Sequence, residues 1–272
     1  MMTMPQIQSN TKNIFISLFF IVILLSIDFF TLFLQPQARA ISHLSVGVLF
    51  AQLVMFLVFS RGQICHGQRS RLIKVNLYLL PYWGIWLFIS LFSNYHYVIT
   101  DLVSLCGIAG CLAAWFQPQD PQMRKSILIL GTLLSGLGII CYFLMFTNLS
   151  WHFFPQYNLF AQLLMGVILA NILLVISRNR LQGFIALLPL VMLIFLLLNA
   201  IAVFGFMAYA YSSAVTFANE FALGLYFLLH LVIVAIIALH IFRKWILSYY
   251  TLVILLLLTA GLPLWVSFAY IA

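Results

Sequence analysis

The stretch Glu220 to Lys244, EFALGLYFLLHLVIVAIIALHIFRK, decides the fold. It opens on a carboxylate, runs through apolar residues broken only by His230 and His240, and closes on Arg243 and Lys244. About twenty such residues cross the hydrocarbon core of a bilayer as an α-helix. The acid then lies at one membrane face and the two cations at the other, which gives the helix a direction.

The rest of the chain repeats that pattern. Of its 272 residues, 65% are hydrophobic and 6% charged, and mean hydropathy is +1.18. Those values lie outside the range of a soluble domain. The fold class is therefore all-α, a polytopic transmembrane helix bundle forming a single integral-membrane domain over residues 1–272. A formal charge of +8 raises the question of nucleic acid, but the twelve Lys and Arg sit in short clusters between apolar runs. Membrane orientation accounts for such clusters, so the partner is the lipid bilayer and nucleic acid is excluded.

About nine spans are expected, eight being the alternative count, at approximately 14–34, 41–59, 75–92, 98–116, 126–145, 159–176, 184–209, 221–242 and 246–270. The connection with Arg61, Arg69, Arg71 and Lys74 is the most basic and is placed in the cytoplasm. The N-terminus is then cytoplasmic and the C-terminus outside. Of all the Lys and Arg, this leaves only Arg39 outside. Ala38-Arg39-Ala40 resembles a signal cleavage site, but the run before it is too long for a signal peptide and carries Asp28, so it reads as a retained helix. Compact loops suit a bacterial cytoplasmic (inner) membrane. Trp151, His152, Phe153 and Phe154 read as an interfacial belt or re-entrant cap. Pro81, Pro189 and Pro263 fall within spans, where each removes a helix hydrogen bond and could kink its helix.

Internal echoes suggest two parallel four-helix repeats followed by one helix. Arg124-Lys125-Ser126-Ile127-Leu128 opens the fifth span as Arg243-Lys244-Trp245-Ile246-Leu247 opens the ninth. Leu79-Leu80-Pro81 matches Leu187-Leu188-Pro189, and Asp101 begins the fourth span as Glu220 begins the eighth. LFAQLVM at 49–55 also matches LFAQLLM at 159–165, although the two copies are expected at different depths.

No motif names a reaction. Cys65, Cys106, Cys111 and Cys141 fall in no metal or redox spacing, and neither Walker, Rossmann, HExxH nor GxSxG patterns occur, so no catalytic residue, metal ligand or cofactor is assigned. What stands out is the placement of the acids. Asp28 lies ~9 Å and Asp101 ~5 Å inside the outer membrane boundary at 1.5 Å per residue, and Glu220 lies at the mouth of the eighth span. A carboxylate at membrane depth normally faces the bundle interior or water.

With Arg39 and His43 at the same face, Asp28, Asp101 and Glu220 suggest an outward-facing polar vestibule, to which His96 and His152 would also contribute. The simpler reading makes Asp101 and Glu220 solvated residues or helix N-caps. Asp28 resists that reading, because it lies deeper and toward the C-terminal end of its helix, where the dipole disfavours an anion. His230, near mid-membrane, is expected to hydrogen-bond a polar residue such as Asn199 on the seventh span.

Three function classes follow. The first is a small permease or efflux-type transporter of a cationic or amphipathic small-molecule substrate, with Asp28 as a proton-coupling group. The second is a non-catalytic envelope protein that affects membrane permeability, integrity or drug tolerance. The third is an enzyme acting on a lipid-linked substrate at the outer face.

Overall fold

A computed structural model describes residues 4–35, 39–150, 153–179, 181–212 and 218–269, with side chains from residue 18 onward. Trp151 and His152 of the interfacial belt, Arg180 and the side chain of Lys12 lie outside the described residues. Ten α-helices occur among the described residues: α1 (Met4–Phe33), α2 (Ser45–Arg61), α3 (His66–Leu77), α4 (Leu80–Phe92), α5 (Val98–Trp115), α6 (Pro121–Thr147), α7 (Leu159–Ile176), α8 (Gln182–Ser212), α9 (Glu220–Arg243) and α10 (Tyr249–Ala269). Helices α3 and α4 together form one crossing, His66–Phe92, and with the shorter apolar stretches Leu18–Phe33 and Ser45–Arg61 the expected nine spans are present.

Local chemistry sets several helix starts. The Asp120 carboxylate accepts from the Met123 amide at 2.8 Å and Pro121 follows at the first helical position, so α6 begins there, five residues ahead of the expected span. Asn158 caps α7 through the Phe160 amide, and Asn219 caps α9 through the Ala222 amide. Helix α9 ends as Lys244 turns left-handed, with φ 53°. The segment from Arg243 therefore closes the eighth span and does not open the ninth, which starts at Tyr249 behind the Ser248 hydroxyl that accepts from Thr251 N. Pro81 likewise does not kink a continuous helix. It sits in the first turn of α4, after α3 has ended at Leu77.

Residues 41–44, read as the start of the second span, are not helical. They belong to the connection 39–44, and Ala40 through Leu44 are buried within the bundle. Irregular backbone is tolerated at such a place only where protein groups satisfy it. Its partners are described below.

Helix α7 is the most enclosed, buried without interruption from Leu164 to Leu174. It packs on α2, α8 and α10, while α2 also packs on α5 and α6. Helices α2, α3–α4, α5 and α6 close one ring and α7, α8, α9 and α10 a second, with α1 laid against α10 and α4. This is the packing order of two parallel four-helix units. The extra helix, however, is the first, α1, rather than the last.

The rings join where α2 crosses α7 at Gly47 and Gly166. A Cβ on Gly166 would stand 2.6 Å from the Gly47 carbonyl oxygen, so neither position accepts a side chain without moving the helices apart. Small residues permit such approach in membranes, where lipid tails are as apolar as Leu and packing replaces the hydrophobic drive between helices.

Candidate functional site

Asp28 is fully buried, and its carboxylate is the hub of the connection between α1 and α2. Ser42 donates its hydroxyl to Oδ2 at 2.6 Å, the Tyr82 hydroxyl of α4 donates to the same oxygen at 2.9 Å, and the His43 amide donates to Oδ1 at 2.9 Å. Ser42 Oγ in turn accepts from the Leu44 and Ser45 amides, each at 3.0 Å, so serine and carboxylate together serve the orphan N–H groups at the start of α2. That explains the acid so near the end of α1. The helix terminus that matters to its charge is the positive one of α2, not the negative one of α1.

Further ties fix the connection from other sides. Tyr142 of α6 donates to the Ser42 carbonyl at 3.0 Å, and Gln162 of α7 donates to the Tyr142 hydroxyl at 2.9 Å while accepting from the Val46 amide at 3.1 Å. Thr100 donates to the Ala40 carbonyl at 3.0 Å, and the Ala40 amide donates to Tyr95 O at 3.1 Å. The His43 ring stacks on Tyr157, with centroids 4.4 Å apart, and Gln35 Nε2 approaches its Nδ1 at 3.5 Å. Burial lowers the His43 pKa to about 3, so the imidazole is neutral at physiological pH.

The remaining vestibule residues have contacts of their own. Arg39 lies over the Tyr97 ring at 4.7 Å. Asp101 pairs with His96 at 2.7 Å, and Glu220 is exposed in the first turn of α9, beside the capping Asn219. Among the described residues, no hydrogen bond or ion pair joins Asp28 to Arg39, Asp101 or Glu220. Asp28 and His43 thus come together, and of the residues that hold them the sequence had marked Gln162 as an interhelical hydrogen-bonding residue but not Ser42, Tyr82 or Tyr142.

A row of polar side chains leads from this hub through the first ring. Tyr82 adjoins Trp83, whose buried indole nitrogen has no partner, while the Trp86 indole lies beside the Asp28 carboxylate. Trp83 packs against Gly107 of α5, where any Cβ would collide with the indole. The Gly107 carbonyl accepts from Gln52 Nε2 at 3.0 Å, and the same amide nitrogen donates to Cys111 Sγ at 3.0 Å. Gln52 Oε1 and Ser135 Oγ are both buried and unpartnered, and a Cβ on Gly110 would lie 3.5 and 2.9 Å from them. Cys111 donates to Asn76 O at 3.7 Å, and both polar atoms of the Asn76 side chain are again unpartnered.

The second ring holds the Asn199 and His230 pair expected from the sequence. Asn199 Nδ2 donates to the Tyr226 hydroxyl at 3.3 Å and contacts His230 Nε2, while Asn199 Oδ1 accepts from Asn158 at 2.5 Å. His230 Nδ1 faces the Tyr226 carbonyl at 3.3 Å, which assigns its proton to Nδ1 and leaves Nε2 as the acceptor. Every polar atom of Asn199 is thereby engaged.

Fold and site define a multi-pass membrane protein whose polar residues turn inward and tie its central helices together. The chain belongs to a family described as an integral membrane domain, whose model matches residues 7–268. It is similar to a protein of Haemophilus influenzae described as uncharacterized, at 50% identity over 249 residues that cover 91% of this chain and 93% of that one. No solved structure matches.

Proposed function

We propose that the protein is a small permease-type transporter of a cationic or polar small solute in a bacterial inner membrane, with Asp28 as the group that binds the solute or its coupling proton. The observation supporting this reading is the row from Asp28 through Trp83, Gln52 and Ser135 to Asn76, in which buried donors and acceptors lack partners. Leaving such a group unmade costs on the order of 1–3 kcal/mol. A core that keeps several of them within one ring of helices is suited to accommodating a polar species. Asp101 and Glu220 act at the outer mouth, where they raise the local cation concentration, and the basic 61–74 segment faces the cytoplasm. Because Asp28 is enclosed, access to it requires the 39–44 connection to move.

The test is flux in proteoliposomes carrying the full chain, with a panel of small organic cations and an imposed pH gradient. Wild-type protein is expected to couple cation and proton movement, and Asp28→Asn is expected to abolish coupling while remaining folded. Unchanged coupling in Asp28→Asn would end the transport role for this carboxylate. A second reading, a non-catalytic envelope protein, is favoured by the three donors that already occupy Asp28. On that reading Asp28→Asn lowers thermal stability and abundance, and neither protein moves any solute.

A further inference from the structure

We infer that the basic end of the bundle carries a binding site for an anionic phospholipid, in the groove between α2, α3 and α6. Arg61, Arg69, Arg124 and Lys125 converge there from three helices on a cleft of about 660 Å³. The cleft also has an apolar wall, in which Phe59, Leu128, Ile129 and Leu133 continue down α2 and α6. Ile129 and Leu133 are 51% and 65% exposed on the outer face of α6, so the wall opens toward lipid.

Charge argues for an anion. No carboxylate pairs with any of the four cations among the described residues, and the one acid nearby in sequence, Asp120, is committed to the Met123 amide. Arg69 is held in place, donating to Gln117 Oε1 at 2.9 Å and to the Phe59 carbonyl at 3.1 Å, and it lies close enough to Arg124 to be repelled by it. A held cation with a second one beside it over a hydrophobic wall is unfavourable until a phosphate lies between them.

The combination decides the class of ligand. A free anion would use the cations and leave the wall bare, and a zwitterionic lipid would use the wall while bringing its own cation into a cationic cleft. An anionic phospholipid satisfies both, with its phosphate on Arg124, Lys125, Arg61 and the free edge of Arg69, and an acyl chain along Leu128 and Leu133. Basic pockets between membrane helices at a bilayer face bind lipid headgroups in this way.

The experiment uses the full chain purified in detergent, with native mass spectrometry to count retained lipid and a thermal melt to read stabilisation. The probes are phosphatidylglycerol, phosphatidylethanolamine and inorganic phosphate. Phosphatidylglycerol should be retained and raise the melting midpoint, and the other two should do neither. Arg124→Gln and Lys125→Gln are informative variants, because neither side chain makes a hydrogen bond among the described residues and the fold does not rest on them.

Each is expected to weaken retention about fivefold, the equivalent of ~1 kcal/mol per charge, and the pair about twentyfold. Arg243→Gln with Lys244→Gln, outside the groove, should leave retention unchanged. Equal retention of phosphatidylethanolamine, stabilisation by phosphate alone, or an equal loss in the Arg243 and Lys244 variant would each overturn the site. Those outcomes would indicate an unselective greasy surface, a soluble-anion site and diffuse surface charge, respectively.

Discussion

The two central helices are anchored at their starts by different chemistry. Helix α2 is held by a buried carboxylate, Asp28 with Ser42, reaching across from α1. Helix α7 is held by neutral amides, its cap Asn158 donating to Asn199 of α8, which in turn meets Tyr226 and His230 of α9. Both arrangements tie three or more segments at one point. They differ in that only the first contains an acid; unpartnered buried polar atoms follow both, on Gln52, Ser135 and Asn76 in the first ring and on Asn171 of α7 in the second. A neutral, fully engaged cluster is enough to fix a helix. The acid at α2 is therefore the feature on which the proposed transport role rests.

The comparison is most directly broken at Asp28. Asp28→Ala leaves the Ser42 and Tyr82 hydroxyls and the His43 amide without their acceptor, and is expected to lower stability by about 3–5 kcal/mol, read as a large drop in the thermal midpoint in detergent. Asp28→Asn keeps the shape and an acceptor oxygen and should cost less than half as much. If both cost the same, the charge itself holds the connection and the anchoring account suffices.

His43 sharpens the contrast through pH. Unfolded, the imidazole takes a proton below its ordinary value of 6.5, whereas folded it stays neutral down to about 3. The unfolded state then binds more protons across that window, so stability rises with pH there and is flat above it, with a slope approaching ~1.4 kcal/mol per pH unit. His43→Phe, which keeps the stack on Tyr157, should remove that slope relative to wild type between pH 4 and 6. An identical pH profile in the variant would show that His43 is not enclosed.

At the second anchor the effect should be smaller. Asn199→Leu removes three hydrogen bonds that each contribute ~0.6 kcal/mol in a membrane protein, so about 1–2 kcal/mol is expected. A loss as large as that of Asp28→Ala would erase the distinction between the two anchors. Glu220→Gln, at an exposed first turn, should change stability by under about 0.5 kcal/mol. Its informative readout is cation flux, which should fall only if the outer acids gather solute.

The crossings were legible because a run of eighteen or more apolar residues has few other uses. The encounter of Asn199 with His230 was legible for a related reason, since two polar residues at similar depth on adjoining spans have few other partners. The non-helical segment 41–44 was not, because Ile41 and Leu44 are as apolar as any helical residue and hydropathy does not distinguish buried coil from helix. Nor were the partners of Asp28, which lie 14, 15 and 54 residues away along the chain. Sequence spacing gives the depth of an acid but not which way around the helix it points, so the groups that meet Asp28 could not be named from it.

The internal match was visible but misaligned. LFAQLVM and LFAQLLM drew attention to α2 and α7, yet the structure brings Gly47 to Gly166, which sets GVLFAQ at 47–52 beside GVILAN at 166–171. In that alignment Gln52 corresponds to Asn171, both buried polar residues, and Asp101 corresponds to Glu220 by the same offset.

The meeting of Gly47 and Gly166 has a mechanical consequence. The two backbones touch there, closed in by Met165 and Phe50 and tied by Gln162 to the Val46 amide, so a tilt of one ring against the other would displace this point least and the far tips of the helices most. Any rocking of the two rings would turn about this crossing, next to the corner that Asp28 holds.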